Sequence, residues 1–172
     1  MENTFFDQNF VCDYSDKNTD QIIFSDHDRF EKVKNWDEKL DSSFASMCEE
    51  MSTEQIEEQF NFAEKIDYLI GHYYDLPSGG NIMIGKTDAL TAIDVNTGAA
   101  KRFDTNREAV QLIAKLIKLK NISGKVVIDP VASDHNTLRK LVGMLKNEFR
   151  DDLSITNVYG YTRGGLLELS RS

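Results

Sequence analysis

The segment Asp75-Leu-Pro-Ser-Gly-Gly-Asn-Ile-Met-Ile84, followed closely by Ala89-Leu-Thr-Ala-Ile-Asp-Val-Asn-Thr-Gly98, decides how the chain is read, because it sets Asp94 and Asn96 at the end of an apolar strand. A second apolar run, Lys125-Val-Val-Ile-Asp129, ends the same way. Asn81 to Ile84 and Ala89 to Val95 read as two strands joined by the turn Gly85-Lys-Thr-Asp88, a hairpin. Between this hairpin and the Asp129 strand, Val110, Ile113, Ala114 and Ile117 recur at helical spacing. They form one face of a helix that ends near Asn121 and is preceded by Thr105-Asn-Arg-Glu108, which has the form of a capping box. A helical crossover returns the chain to the edge it started from, so the two acidic strands are expected to be parallel, with both exits on one edge. Asp94 and Asn96 are two apart and therefore share a face. With the Asp129 strand as immediate neighbour, the two carboxylates come within roughly 5 Å. That is bridging distance for one hard cation, at the carboxyl edge where open α/β sheets bind ligands; Mg²⁺ takes oxygen ligands, often only one or two carboxylates plus water and phosphate.

The pattern extends in both directions. Pro130 stops the Asp129 strand, and Ser133 or Asp134 can cap a helix that buries Leu138, Leu141, Val142, Leu145 and Phe149. Ser154 to Tyr159 and Leu166 to Leu169 complete the sheet. Upstream, Gln21 to Phe24 reads as a short strand. Ser25 or Asp26 then caps a helix carrying Phe30, Val33, Leu40, Phe44 and Met47. A second helix opens at Ser52 and Gln55, another capping box, and runs through Ile56, Phe60, Ala63, Ile66 and Ile70 until Pro77 and Gly79-Gly80 end it. The expected fold is α/β, a mixed sheet with helices. Three regions are expected along the chain: a flexible arm over 1–20, a strand-plus-helices segment over 21–75, and the sheet-bearing region over 76–172.

The 172 residues suffice for a buried core, and the net charge is −9. The charge is uneven. Residues 1–80 carry 6 basic and 19 acidic side chains, net −13, whereas residues 81–172 carry 14 and 10, net +4. The half with the paired aspartates is thus the half able to tolerate a polyanion, although a solvated acidic helical half also accounts for the asymmetry. No apolar run approaches the roughly 20 residues that span a bilayer, and the N-terminus is acidic where a signal peptide is basic, so no membrane association and a cytoplasmic location are expected. Cys12 and Cys48 lack metal-ligand spacing and read as free thiols.

Each candidate also has a plainer reading. An aspartate at a strand end caps loops and helices, Asn96 before Thr97-Gly98 is a turn former, and Gly79-Gly80 reads as a turn before it reads as a phosphate cradle. Arg163 and Arg171 are candidate phosphate contacts, with solvated surface as the alternative.

Several longer motifs bear on the choice. Leu76-Pro-Ser-Gly-Gly80, Thr87-Asp-Ala-Leu-Thr-Ala-Ile-Asp-Val-Asn-Thr-Gly98, Thr105-Asn-Arg-Glu-Ala109, Asn121-Ile-Ser-Gly-Lys-Val-Val-Ile-Asp129 and the stretch from Gly165 to Arg171 resemble, in order and spacing, the catalytic DNase I-like subdomain of the ribonuclease E/G family. The resemblance is strong over residues 76–172. It is weaker over Gln21 to Tyr74, where the family has part of an RNase H-like subdomain. It implies a metal-dependent endoribonuclease acting on single-stranded RNA, with Asp94 and Asp129 as ligands of Mg²⁺ (or Mn²⁺) and Asn96 orienting them.

The departures from the family pattern carry expectations of their own. Neither the OB-fold RNA-binding domain nor the 5′-end sensor is expected to have a counterpart within these residues, nor is the cysteine-based zinc link, so no zinc is expected. A protein partner supplying RNA-binding surface is a natural complement. Pro130 replaces an aromatic residue, Ala132 stands where an acidic residue is expected, and Gly85 stands where the family tends to have aspartate. These changes keep open a non-catalytic relative that binds RNA or protein.

Overall fold

The computed structural model describes residues 19–40, 44–98 and 102–172. Two units divide the chain, residues 1–65 and 66–172. Most of the expected N-terminal arm lies outside the described residues.

In the first unit, β1 (Ile22–Phe24) leads into α1 (His27–Leu40), and a single 3₁₀ turn (Phe44–Met47) precedes β2 (Cys48–Glu50). The helical crossover makes β1 and β2 parallel, with Ile22 opposite Cys48. Val33 is fully buried, and the Phe24 and Phe30 rings lie 6.1 Å apart. The apolar spacing suggested one helix running to Met47. Instead α1 ends at Leu40, and β2, at three residues, is too short to carry a readable period.

The capping box at Ser52 forms as expected: the Ser52 N–H donates to Gln55 Oε1 at 2.8 Å and the Gln55 N–H to Ser52 Oγ at 3.3 Å. The helix it opens is shorter than expected. It breaks into α2 (Thr53–Phe60) and α3 (Phe62–Ile70) at Asn61, whose φ of 49° is left-handed. Asparagine tolerates that conformation at a helix end. The Glu57 carboxylate then accepts from the Ala63 N–H at 2.8 Å, supplying a partner to the first turn of α3.

The second unit is built on a six-stranded mixed sheet, order β3-β4-β5-β6-β8-β7. Its strands are β3 (Tyr73–Asp75), β4 (Asn81–Lys86), β5 (Thr91–Asn96), β6 (Gly124–Asp129), β7 (Thr156–Tyr161) and β8 (Leu167–Arg171), with helices α4 (Arg102–Leu119) and α5 (His135–Glu148). Within this sheet only β5 and β6 pair in parallel, across the α4 crossover. β3 went unseen in the sequence; it pairs with β4 and buries Tyr74 completely.

Strand alternation sorts the sheet into two faces. Ile82, Ile84, Ile93, Val95, Val126, Ile128, Leu167 and Leu169 form one core with Val110, Ile113, Ala114 and Ile117 of α4 and with Leu138, Leu141 and Leu145 of α5. The opposite face carries Met83, Ala92, Asp94, Asn96, Lys125 and Asp129, none of them buried. The helix α4 begins earlier than the sequence suggested, at Arg102, so Thr105 and Asn106 lie inside it and are buried. The apparent capping box at Thr105 is therefore not a cap. Asp134 is one: its carboxylate accepts from the Thr137 N–H at 2.7 Å, and that bond holds it below the ordinary carboxylate range.

Candidate metal centre at the sheet edge

The α4 crossover makes β5 and β6 parallel neighbours, and their register sets Asp94 directly opposite Asp129. Neighbouring strands lie about 4.8 Å apart, so the two carboxylates sit side by side on the open face. Asp94 is half-buried and Asp129 exposed. Asn96, two residues further along β5, donates from Nδ2 to Asp94 Oδ2 at 2.8 Å and to Asn81 Oδ1 at 3.3 Å. Asn81 faces Asn96 in the β4–β5 register, so a chain of two amides fixes one oxygen of Asp94. The sequence marked Asn81 only as a strand start; its part in this chain depends on the antiparallel pairing.

Among the described residues no Lys, Arg or His forms an ion pair with Asp94 or Asp129, and no cluster of three His, Cys, Asp or Glu side chains assembles. Two adjacent carboxylates without a protein counter-cation repel each other, and a hard divalent ion relieves that repulsion. The donor set, all oxygen and open to solvent, fits Mg²⁺ or Mn²⁺ with water completing the shell. Asp134, two positions past Ala132, has its Oδ1 engaged in the capping bond from the Thr137 N–H.

Two loops hold this edge in place. Asn106 is almost fully buried; its Nδ2 donates to the Val131 carbonyl and to Ser133 Oγ, both at 2.9 Å, while its Oδ1 accepts from the Val131 N–H at 2.8 Å. It thereby pins the segment that leaves Asp129. Asn106→Asp keeps the acceptor but loses both donors and sets a carboxylate against a carbonyl. A buried group left without its partner costs about 1–3 kcal/mol, so the urea midpoint should fall accordingly; a wild-type midpoint would refute the anchoring.

Gly79-Gly80 serves close approach of two loops, and the cradle reading has no support in the geometry. A Cβ on Gly80 would overlap the Asn96 carbonyl oxygen and come within 2.9 Å of Thr105 Cγ2, and a Cβ on Gly98 would overlap the Gly79 carbonyl. Ser78 adds a tie from the same turn, its N–H donating to Glu108 Oε2 at 2.9 Å. Gly80→Ala should therefore displace the Asn96 backbone and cost about 1–3 kcal/mol, as overpacking generally does, with weakened Mg²⁺ binding in the same protein. Unchanged unfolding and unchanged Mg²⁺ titration would show that the approach is not needed.

The two candidate phosphate contacts part company. Arg163 is exposed in the turn between β7 and β8, at the end of the sheet where Asp129 lies, because Leu167 pairs with both Ile128 and Tyr161. Arg171 lies at the other end, opposite Gly124 and Thr156, and is 6% exposed. Its Nε and Nη2 donate to Asp152 at 2.8 and 3.1 Å, and its Nη1 to Asn121 Oδ1 at 2.9 Å. Arg171 is a buried structural cation and is not available to a phosphate.

A mixed α/β sheet with paired carboxylates at the exits of two parallel neighbours defines the class of site. The chain belongs to the ribonuclease E/G family, whose sequence model matches residues 1–172. It is 28% identical to ribonuclease G of Escherichia coli (strain K12) over 174 aligned residues, covering 95% of this chain and 36% of that protein. Ribonuclease E of Buchnera aphidicola subsp. Acyrthosiphon pisum is 38% identical over 130 residues, 68% of this chain and 13% of that protein. The chain thus spans about a third of the length of the ribonuclease G it matches, at 36%.

Proposed function

We propose that the chain is a Mg²⁺-dependent endoribonuclease region that hydrolyses phosphodiesters of single-stranded RNA, with Asp94 and Asp129 holding the ion and Asn96 orienting Asp94. The observation that carries this reading is the register pairing of Asp94 with Asp129, with Asn96 bonded to Asp94 and no protein cation beside either among the described residues. When bound, a divalent ion supplies charge neutralisation at the phosphoryl oxygens and an acidified water. In the hydrolysis the water oxygen forms a new P–O bond and gives up a proton, the bond between phosphorus and the ribose oxygen breaks, and that departing oxygen takes up a proton. Asn96 fixes Asp94 Oδ2, leaving Asp94 Oδ1 and both oxygens of Asp129 open, and Arg163 offers a cation for the RNA phosphates at the same edge.

A second chain supplying RNA-binding surface fits this reading, since single-strand affinity rests on stacking platforms and basic grooves. No helix among the described residues is long and apolar enough to cross a membrane, and we place the protein with its RNA in the cytoplasm. Ala132, where the family pattern has an acidic residue, favours the alternative, a non-catalytic relative that binds RNA or protein. Cleavage of a 5′-monophosphorylated single-stranded RNA with Mg²⁺ or Mn²⁺ separates the two; no cleavage under either ion favours the alternative.

A further inference from the structure

Away from the carboxylates, an open groove of 420 Å³ runs between the last turn of α5 and the outer edge of β7. Lys146, Phe149, Arg150, Asn157 and Tyr159 are among its lining residues, and no carboxylate lines it. The groove lies in the half of the chain, residues 81–172, that carries a net charge of +4. Of the nearby acids, Asp152 has both carboxylate oxygens engaged by Arg171, while Glu148 and the exposed Asp151 adjoin the two cations in sequence without lining the groove. Lys118 adds a third cation behind the wall, with Nζ 6.0 Å from the centre of the Phe149 ring.

The rim provides an aromatic surface. Tyr159 is 67% exposed, and its hydroxyl is 2.7 Å from Ser170 Oγ, which fixes the ring over the open face of the sheet. β7 is the last strand of the sheet, and its pairing with β8 is irregular between Val158 and Gly160, where Gly160 has a φ of 138°. A bulged edge is poorly suited to receive another β-strand. Cations beside an exposed aromatic ring, with an amide to hydrogen-bond, suit a flexible polyanion that has free base faces. From Thr156 to Tyr161 the strand covers roughly 17 Å and leads to the turn that carries Arg163 at the carboxylate edge.

We propose that this groove is a binding track for single-stranded RNA, with Lys146 and Arg150 on phosphates and Tyr159 stacking a base, feeding the strand toward Arg163 and the carboxylate pair. The assignment of RNA as the ligand rests on the proposed function, but the test does not depend on cleavage. The affinity of the full chain for a short fluorescein-labelled oligouridylate is measured by anisotropy in EDTA across a salt series. In the variant combining Lys146→Ala with Arg150→Ala, the slope of log K against log salt should become shallower by about 1.4, at roughly 0.7 per lost phosphate contact on a single strand. Tyr159→Ala should weaken binding about 5- to 150-fold, while Tyr159→Phe, which keeps the ring and loses the Ser170 contact, should bind as wild type. An unchanged slope in the double variant overturns the track even if the protein cleaves RNA. The expected slope change in a chain that cleaves nothing upholds the track and leaves only the nuclease reading to fail. A change in sedimentation of the RNA-free double variant, with its slope unchanged, would assign the groove to a protein contact and overturn the proposal.

Discussion

Replacing Asp94 and Asp129 together by asparagine should abolish Mg²⁺-dependent RNA cleavage, lowering the rate by about 10³-fold or more, because stabilisation of phosphoryl charge by a metal is worth several kcal/mol. The amide keeps the size of each side chain and removes only the negative charge that a divalent ion needs. Folding should not suffer. The two carboxylates are register partners on an open face, and two like charges roughly 5 Å apart in a solvent-like dielectric repel by about 1 kcal/mol. The variant should therefore unfold at the wild-type midpoint or slightly above it. Three readings on the same preparation make the test decisive: cleavage of a 5′-monophosphorylated single-stranded RNA, Mg²⁺ titration by calorimetry, and thermal unfolding. Mg²⁺ binding or cleavage that persists in the variant would place the metal elsewhere. A variant that fails to fold would show that the pair is structural.

The largest loss of stability should come from Arg171→Met. Arg171 and Asp152 form an ion pair at 2.8 Å with side chains 6% and 3% exposed. Removing one partner of such a pair strands a buried charge and costs about 3–5 kcal/mol, enough to lower the melting temperature by roughly 10 °C or more. The double variant Arg171→Met with Asp152→Leu should recover much of that loss, since an apolar pair leaves no buried charge. A single variant as stable as wild type would mean that water reaches the site.

Acid should act through the same pair. Burial pushes the Asp152 carboxyl up, but the hydrogen bonds from Arg171, the Thr156 hydroxyl and the Ser154 N–H, together with the Arg171 charge, outweigh it and hold the carboxyl below the ordinary carboxylate range. A carboxylate with a depressed folded pKa contributes its stability above its unfolded value. That stability is then lost as pH falls through the folded one. The contribution of Asp152 should thus be whole above about pH 5 and fade below about pH 4, a fade that Asp152→Asn should remove from the stability–pH curve.

The elements with strong local periods were legible in advance. The β4–β5 hairpin, the Asp129 strand, the body of α4 and the Leu138, Leu141, Leu145 stripe of α5 each repeat apolar residues at one spacing over several turns or strand positions. β2 and β3, three residues each, offer no period to read. The break at Asn61 was hidden because the apolar positions on either side of it stay close to helical spacing, while the left-handed residue between them is a conformational choice that the pattern does not encode.

What the sequence determined by itself was the pair of acidic strand ends and their parallel relation, because a helical crossover between two apolar strands leaves few alternatives and side-chain alternation then sets the face. Tertiary structure alone decided which other polar residues matter. Asn106 reaches Val131 across 25 positions, and Arg171 reaches Asn121 across 50. A helix start signal and a surface arginine are locally indistinguishable from a buried loop anchor and a buried ion pair. Only the folding of distant segments around them, which removes water and leaves each polar atom needing a partner, turns the one into the other.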